Sequence, residues 1–216
     1  MVEGQSEVDP LLARAAAAGD TKAWGALLTG HEDRLLRMIE FRLDPRLRGR
    51  VEAADVVQEV YLQAADHRED YFRQSAAVPL FLWLRGIAGN KLLEIHRNHL
   101  GAQLRDAGRE QAPRRRASPD ATSVSLFAQI AGHSAGPGTA AAGAELRLRL
   151  EDALVAMDPI DREALALRHF EQLTYGEAAE VLGITEDAAA KRYVRALRRL
   201  KDILAAMPGG LSEVRP

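Results

Sequence analysis

Lys191, Arg192, Arg195, Arg198 and Arg199 recur near the end of the chain at intervals that gather them on one side of a helix. Cations so arranged can hold phosphate oxygens and reach base edges. At 100° per residue they share with Ala188 an arc of roughly 120–140°. Ala189, Ala190, Tyr193, Ala196, Leu197, Leu200, Ile203 and Leu204 fall on the other side. No acid interrupts Ala188–Lys201, whereas a face kept only for solubility normally interleaves both signs. A second set, Asp55, Gln58, Glu59 and Leu62, has the i, i+3, i+4, i+7 spacing of helical neighbours. Carboxylates one turn apart and edged by an exposed leucine suit a basic partner surface, though an ordinary solvated face fits equally well.

Catalytic chemistry is harder to assemble. With no cysteine, thiol nucleophiles, disulfides and Cys-ligated zinc are excluded. His96 and His99 stand three apart, but nothing nearby completes a metal set. Asp66, Glu69 and Asp70 are the acids closest to a divalent-metal arrangement, yet no nucleophile, base and orienter accompany them. The expectation is a protein of recognition: no enzyme, no cofactor, no metal.

The elements that must position these residues are helices. The chain is 47% hydrophobic but 5% aromatic, rich in Ala, Leu and Arg and poor in β-branched runs, so the spacing predicts an all-α fold. Tyr175–Leu182, a tight turn at Gly183 and a longer helix capped by Thr185 read as a helix-turn-helix, with Glu186 and Asp187 at the positive end of the second helix dipole. Upstream, Glu145–Met157 and a helix opened by Pro159 and running to about Phe170 are expected, the latter burying Ile160, Leu165 and Leu167.

In the first half, short helix Leu11–Ala18 precedes one continuous helix Thr21–Leu43. A helix over Glu52–Asp66 buries Ala53, Val57, Val60 and Ala64. Tyr71–Val78 is expected to be a loop, with Pro79 the first residue of a helix reaching Leu100. Leu80, Trp83, Leu84, Ile87, Leu92 and Ile95 point inward along it. Gly101–Ala144 shifts to Gly, Ala, Ser and Pro with the run Arg114–Arg116, the composition of a flexible linker. Its ends would lie about 35–40 Å apart on average, comparable to one DNA turn of about 34–36 Å. The expected organisation is therefore 1–100, a linker 101–144, 145–207 and a tail 208–216.

No apolar run reaches membrane-spanning length and no signal peptide is visible, so a cytoplasmic protein is expected. With a formal charge of −2, the isolated chain is expected to bind DNA weakly and to need a partner for tight binding.

Three blocks in order, DVVQEVYLQA (Asp55–Ala64), FLWLRGIAGNKLLEIHRNH (Phe81–His99) and DPIDREALALRHFEQLTYGEAAEVLGIT (Asp158–Thr185), resemble bacterial RNA polymerase sigma factors of the sigma-70 family, extracytoplasmic-function (ECF) group. The resemblance implies a region 2-like helical bundle and a region 4-like helix-turn-helix domain joined by a flexible linker. It implies that Asp55, Gln58, Glu59 and Leu62 dock on core RNA polymerase. Arg73, Gln74, Ser75 and Ala76, with Arg85, Asn90 and Lys91, would serve the unpaired −10 element of promoter DNA. Thr185, Asp187, Ala188, Lys191, Arg192, Arg195 and Arg199 would face the −35 major groove. Members are commonly held silent by an anti-sigma factor, a further expected partner.

The family's Thr-Val-Lys run is replaced here by Ala188-Ala189-Ala190, with lysine one place later. Alanine can touch a thymine methyl but makes no hydrogen bond, so more of the upstream read would rest on DNA shape. Two other classes compete: a stand-alone helix-turn-helix regulator with an N-terminal sensing or dimerisation domain, and an enzyme acting on nucleic acid. The first would bind duplex DNA without polymerase; the second lacks a catalytic constellation.

Overall fold

The structure, a computed structural model, describes residues 10–44, 46–47, 49–74, 78–103 and 140–207. Among these the chain is helical, and it divides into two compact units, one on each side of residue 113.

The first unit begins with α1 (Pro10–Ala17), which stops at Gly19, a residue in the left-handed region at φ 102°. Asp20 then caps α2 (Thr21–Thr29), its carboxylate accepting from the backbone N–H groups of Lys22 and Ala23. The single helix expected over Thr21–Leu43 is two helices: α2 ends at Gly30, and α3 is Glu32–Arg42. The apolar spacing hides the break because Leu28 and Leu35 are seven residues apart, two turns of a helix. Glu32 and Asp33, acids at the positive end of a new dipole, mark the restart.

α4 (Ala53–Asp66) buries Val57, Val60 and Ala64 as expected; Val56 is buried with them, while Ala53 is only half-buried. Helix α5 (Arg68–Gln74) takes up the first half, Tyr71–Gln74, of the segment expected to be a loop. Tyr71 and Phe72 hold it down: with Trp24 and Trp83 they form an aromatic cluster, with ring centroids 4.9 Å apart for Tyr71–Trp83 and 5.6 Å for Trp24–Phe72. Burial of rings that size outweighs a weak local helix preference. α6 (Leu80–Gln103) starts one residue later than expected, because Pro79 supplies the carbonyl that accepts from Trp83 N–H and so stands at the cap.

The core of this unit joins Leu35, Met38 and Ile39 of α3 to Val57 and Val60 of α4 and Phe81 and Leu84 of α6. The Arg34 guanidinium lies 3.7 Å over the Phe81 ring. Below α3, Asp44 accepts from the backbone and guanidinium of Arg46, which holds its carboxyl down to about 2. The Asp44 N–H donates to His96 Nε2, so that imidazole ties a turn to α6.

The second unit contains α7 (Ala140–Ala156), α8 (Pro159–Leu165), a π-helical turn (Ala166–Phe170), α9 (Tyr175–Leu182) and α10 (Glu186–Ala206). The helix expected from Pro159 to Phe170 thus changes geometry at Ala166, whose carbonyl accepts from Glu171 N–H. Ile160, expected inside, is 55% exposed, since it sits in the first turn of α8 beside its Asp158 cap. Leu165 and Leu167 are fully buried and pack with Leu150, Leu173 and Leu200 in one core. The expected linker overlaps both α6 and α7 at its ends; residues 104–139, including Arg114–Arg116, and the tail 208–216 lie outside the described residues.

Candidate nucleic-acid interface

Local chemistry fixes the turn that presents α10. Thr174 and Glu177 form a reciprocal capping box at the start of α9, the Glu177 N–H donating to Thr174 Oγ1 at 3.1 Å and the Thr174 N–H to Glu177 Oε2 at 2.7 Å. Its signature, Thr-x-x-Glu, is a local signal in the sequence for the start of this helix. Gly183 adopts the left-handed conformation at φ 63°, as a C-terminal cap requires. Thr185 caps α10, its hydroxyl accepting from Ala188 N–H at 3.3 Å.

On α10 the inner residues Ala189, Tyr193, Ala196, Leu200 and Leu204 are buried, and Lys191, Arg195 and Arg198 are exposed. Arg192 is half-buried beside them. Asp187 pairs with Lys191 at 2.7 Å, both well exposed, which softens the positive charge of the first turns. Arg199 pairs with Asp161, a buried residue of α8, so it anchors α10 to its neighbour. Arg198, absent from the set implied by the resemblance, is exposed as well.

Two residues that periodicity did not reveal hold the inner side. Arg168 stacks over Tyr175, 4.2 Å from the ring centroid, and donates to the Leu173 carbonyl. The next residue, His169, shares a 2.7 Å hydrogen bond between Nε2 and the Tyr193 hydroxyl. Burial, and secondarily the Arg168 charge, pulls the His169 imidazole down to about 4, so it is neutral at physiological pH. The π turn places both side chains against α10.

In the first unit Asp55, Gln58, Glu59 and Leu62 are all exposed on one face of α4, Leu62 at 69%. Lys91 reaches across from α6 to Glu59 at 2.9 Å and to Glu94 at 3.0 Å, and both carboxylates raise its pKa. Residues drawn from two different expected sites are therefore ion-paired with each other. Arg73 sits at the end of α5, 3.4 Å from Asp70. Gln74 closes that helix, whereas Ser75 and Ala76 lie outside the described residues. Arg85 is half-buried and Asn90 exposed; at about 100° per residue they stand about 140° apart on α6, so Arg85, Asn90 and Lys91 do not line one face.

Comparison with known proteins follows the same division. Residues 147–200, from α7 into α10, match the family model for Sigma-70, region 4. Over 191 residues the chain is 30% identical to the ECF RNA polymerase sigma factor SigD of Mycobacterium tuberculosis (strain ATCC 25618 / H37Rv), covering 88% of this chain and 81% of the relative. The chain belongs to the ECF RNA polymerase sigma factors. SigD of Mycobacterium bovis matches to the same extent. The solved structure of CnrH in complex with the cytosolic domain of CnrY aligns at a TM-score of 0.57 and 24% identity, over 94% of this chain and all of that one, a likeness of fold.

An ECF sigma factor is a transcription initiation factor, not an enzyme, and works with core RNA polymerase on promoter DNA. Among the described residues no group of three His, Asp or Glu could hold a metal ion, and no helix is long and apolar enough to cross a membrane.

Proposed function

We propose that this sigma factor divides its work between its two halves. Residues 1–100 dock on core polymerase through Asp55, Gln58, Glu59 and Leu62. They also hold the opened −10 element through Arg73, Gln74, Ser75 and Ala76 with Asn90 and Lys91, neighbours on α6. Residues 145–207 read the −35 element, with α10 in the major groove and Lys191, Arg192 and Arg195 directed to DNA beside Thr185, Asp187 and Ala188, while Arg199 holds α10 to Asp161. Residues 101–144 tether the two. The observation that carries the reading is the outer side of α10, where Lys191, Arg195 and Arg198 lie exposed along three successive turns behind a capped glycine turn. Such a face gains counterion-release energy from phosphates, while a chain of net charge −2 gains little elsewhere. Tight promoter binding therefore comes with polymerase. An anti-sigma factor covering these surfaces is the expected regulator.

The test is transcription in vitro with core polymerase on promoters selected from a random library. Reversing Arg192 and Arg195 to Glu should cut promoter-specific initiation by tenfold or more, in line with about 1–3 kcal/mol per lost contact. Core binding should be unchanged. Unaltered initiation by the double variant would remove α10 from the groove. Strong duplex binding without polymerase would instead favour a stand-alone regulator.

A further inference from the structure

Lys91 belongs to two surfaces at once. Its ammonium lies 2.9 Å from the Glu59 carboxylate on α4 and 3.0 Å from that of Glu94, one turn further along α6. The lysine side chain is only 22% exposed, whereas both carboxylates stand open to solvent. Of these partners, Glu59 lies on the α4 face assigned above to polymerase, and Lys91 itself is assigned to the opened −10 strand. A single contact between packed helices therefore joins the two tasks.

Charge decides what this contact does in the free chain. One ammonium set between two carboxylates leaves the group with negative charge in excess. A strand phosphate approaching Lys91 is repelled by that excess and competes with both carboxylates for the donors of the ammonium. A basic polymerase surface that takes up Glu59 removes one competitor. Lys91 is then left with Glu94 alone, a pair of balanced charge whose ammonium can turn to a phosphate.

We propose that the Glu59–Lys91 ion pair is an autoinhibitory contact: in the free chain it withholds Lys91 from the −10 strand, and docking of Glu59 on core polymerase releases it. This rests on the assignments of Glu59 to polymerase and Lys91 to the strand, and adds a link between them. Linkage makes the effect reciprocal, so the strand tightens core binding by the same factor as core tightens strand binding. A solvent-exposed ion pair is worth at most about fivefold in affinity, so the contact biases the order of assembly towards polymerase first without enforcing it.

The test uses the full chain, alone and with saturating core polymerase. The probe is a labelled single-stranded oligonucleotide carrying the non-template −10 sequence of a promoter selected in the transcription assay. Glu59→Gln should tighten its binding to the isolated chain by about three- to fivefold, and the further tightening brought by core should shrink by the same factor. In a Lys91→Gln background the same change should gain less than about twofold, because the interaction it breaks is already gone. An equal gain with and without Lys91 would show a general charge effect and overturn the proposal, as would no gain in either background. Lys91→Gln alone, assayed in the holoenzyme, separates the failures. Unchanged strand binding there takes Lys91 off the −10 strand and the proposal falls with that assignment; weakened strand binding with no Glu59 effect leaves Lys91 on the strand and removes only the link. Core affinity of Glu59→Gln checks the other side: an unchanged value takes Glu59 out of the docking face and overturns the release step.

Discussion

Lowering the pH from 7 to 4 should loosen the helix-turn-helix unit through one side chain, His169. Its imidazole, hydrogen-bonded to Tyr193 and burdened by burial and by Arg168, titrates near 4 rather than at its ordinary 6.5. Above pH 6.5 the group is neutral in folded and unfolded chains alike and contributes no pH dependence. Between 6.5 and 4 the unfolded chain binds the proton and the folded chain does not, so stability falls as pH falls. Below 4 both forms are protonated and the loss levels off. At about 1.36 kcal/mol per pH unit the full window amounts to about 3 kcal/mol, and pH 5 reaches about 2.

Both tryptophans, Trp24 and Trp83, belong to the first unit, so their fluorescence does not report this loss. Hydrogen exchange of the full chain, read over α8–α10, does. Exchange there should accelerate between pH 6.5 and 4 beyond the intrinsic rate change, and His169→Gln, which cannot titrate, should remove most of that excess. An NMR midpoint for His169 near 6.5, or an identical excess in His169→Gln, would refute the reasoning.

Other outcomes follow from single contacts. Arg199→Ala leaves the buried Asp161 carboxylate without its cation and should cost about 1–2 kcal/mol, discounted for the half-exposed arginine, as seen in hydrogen exchange of α8 and α10. Gly183→Ala meets no atom within 4 Å of the new Cβ but forces alanine to φ 63°, so a loss of about 1 kcal/mol is expected in the same measurement. A far larger loss would show that the turn is constrained by packing as well as by backbone preference.

Much of this protein was written in local patterns. Gly183 followed by Thr185 located the turn and the cap, because left-handed backbone and orphan N–H groups each call for particular residue types. The arcs of α10 followed from helical angles alone, and Asp55, Gln58, Glu59 and Leu62 indeed share an exposed face of α4. Neither depended on knowing a neighbour. Even where local cues existed they could be overridden by a stronger pattern: the break between α2 and α3 was masked by apolar residues two turns apart.

Tertiary structure decided the rest. Tyr71 and Phe72 form part of a helix because Trp24 and Trp83 stand against them, and no window of sequence brings those rings together. Arg199 lies on the cationic arc by its angle but anchors α10 through Asp161, thirty-eight residues away. Lys91 meets Glu59 across two packed helices, and His169 of the π-helical turn meets Tyr193 of α10. Helical period specifies the direction in which a side chain leaves its own axis. Which opposite charge, ring or hydroxyl waits in that direction is set only when separate helices pack.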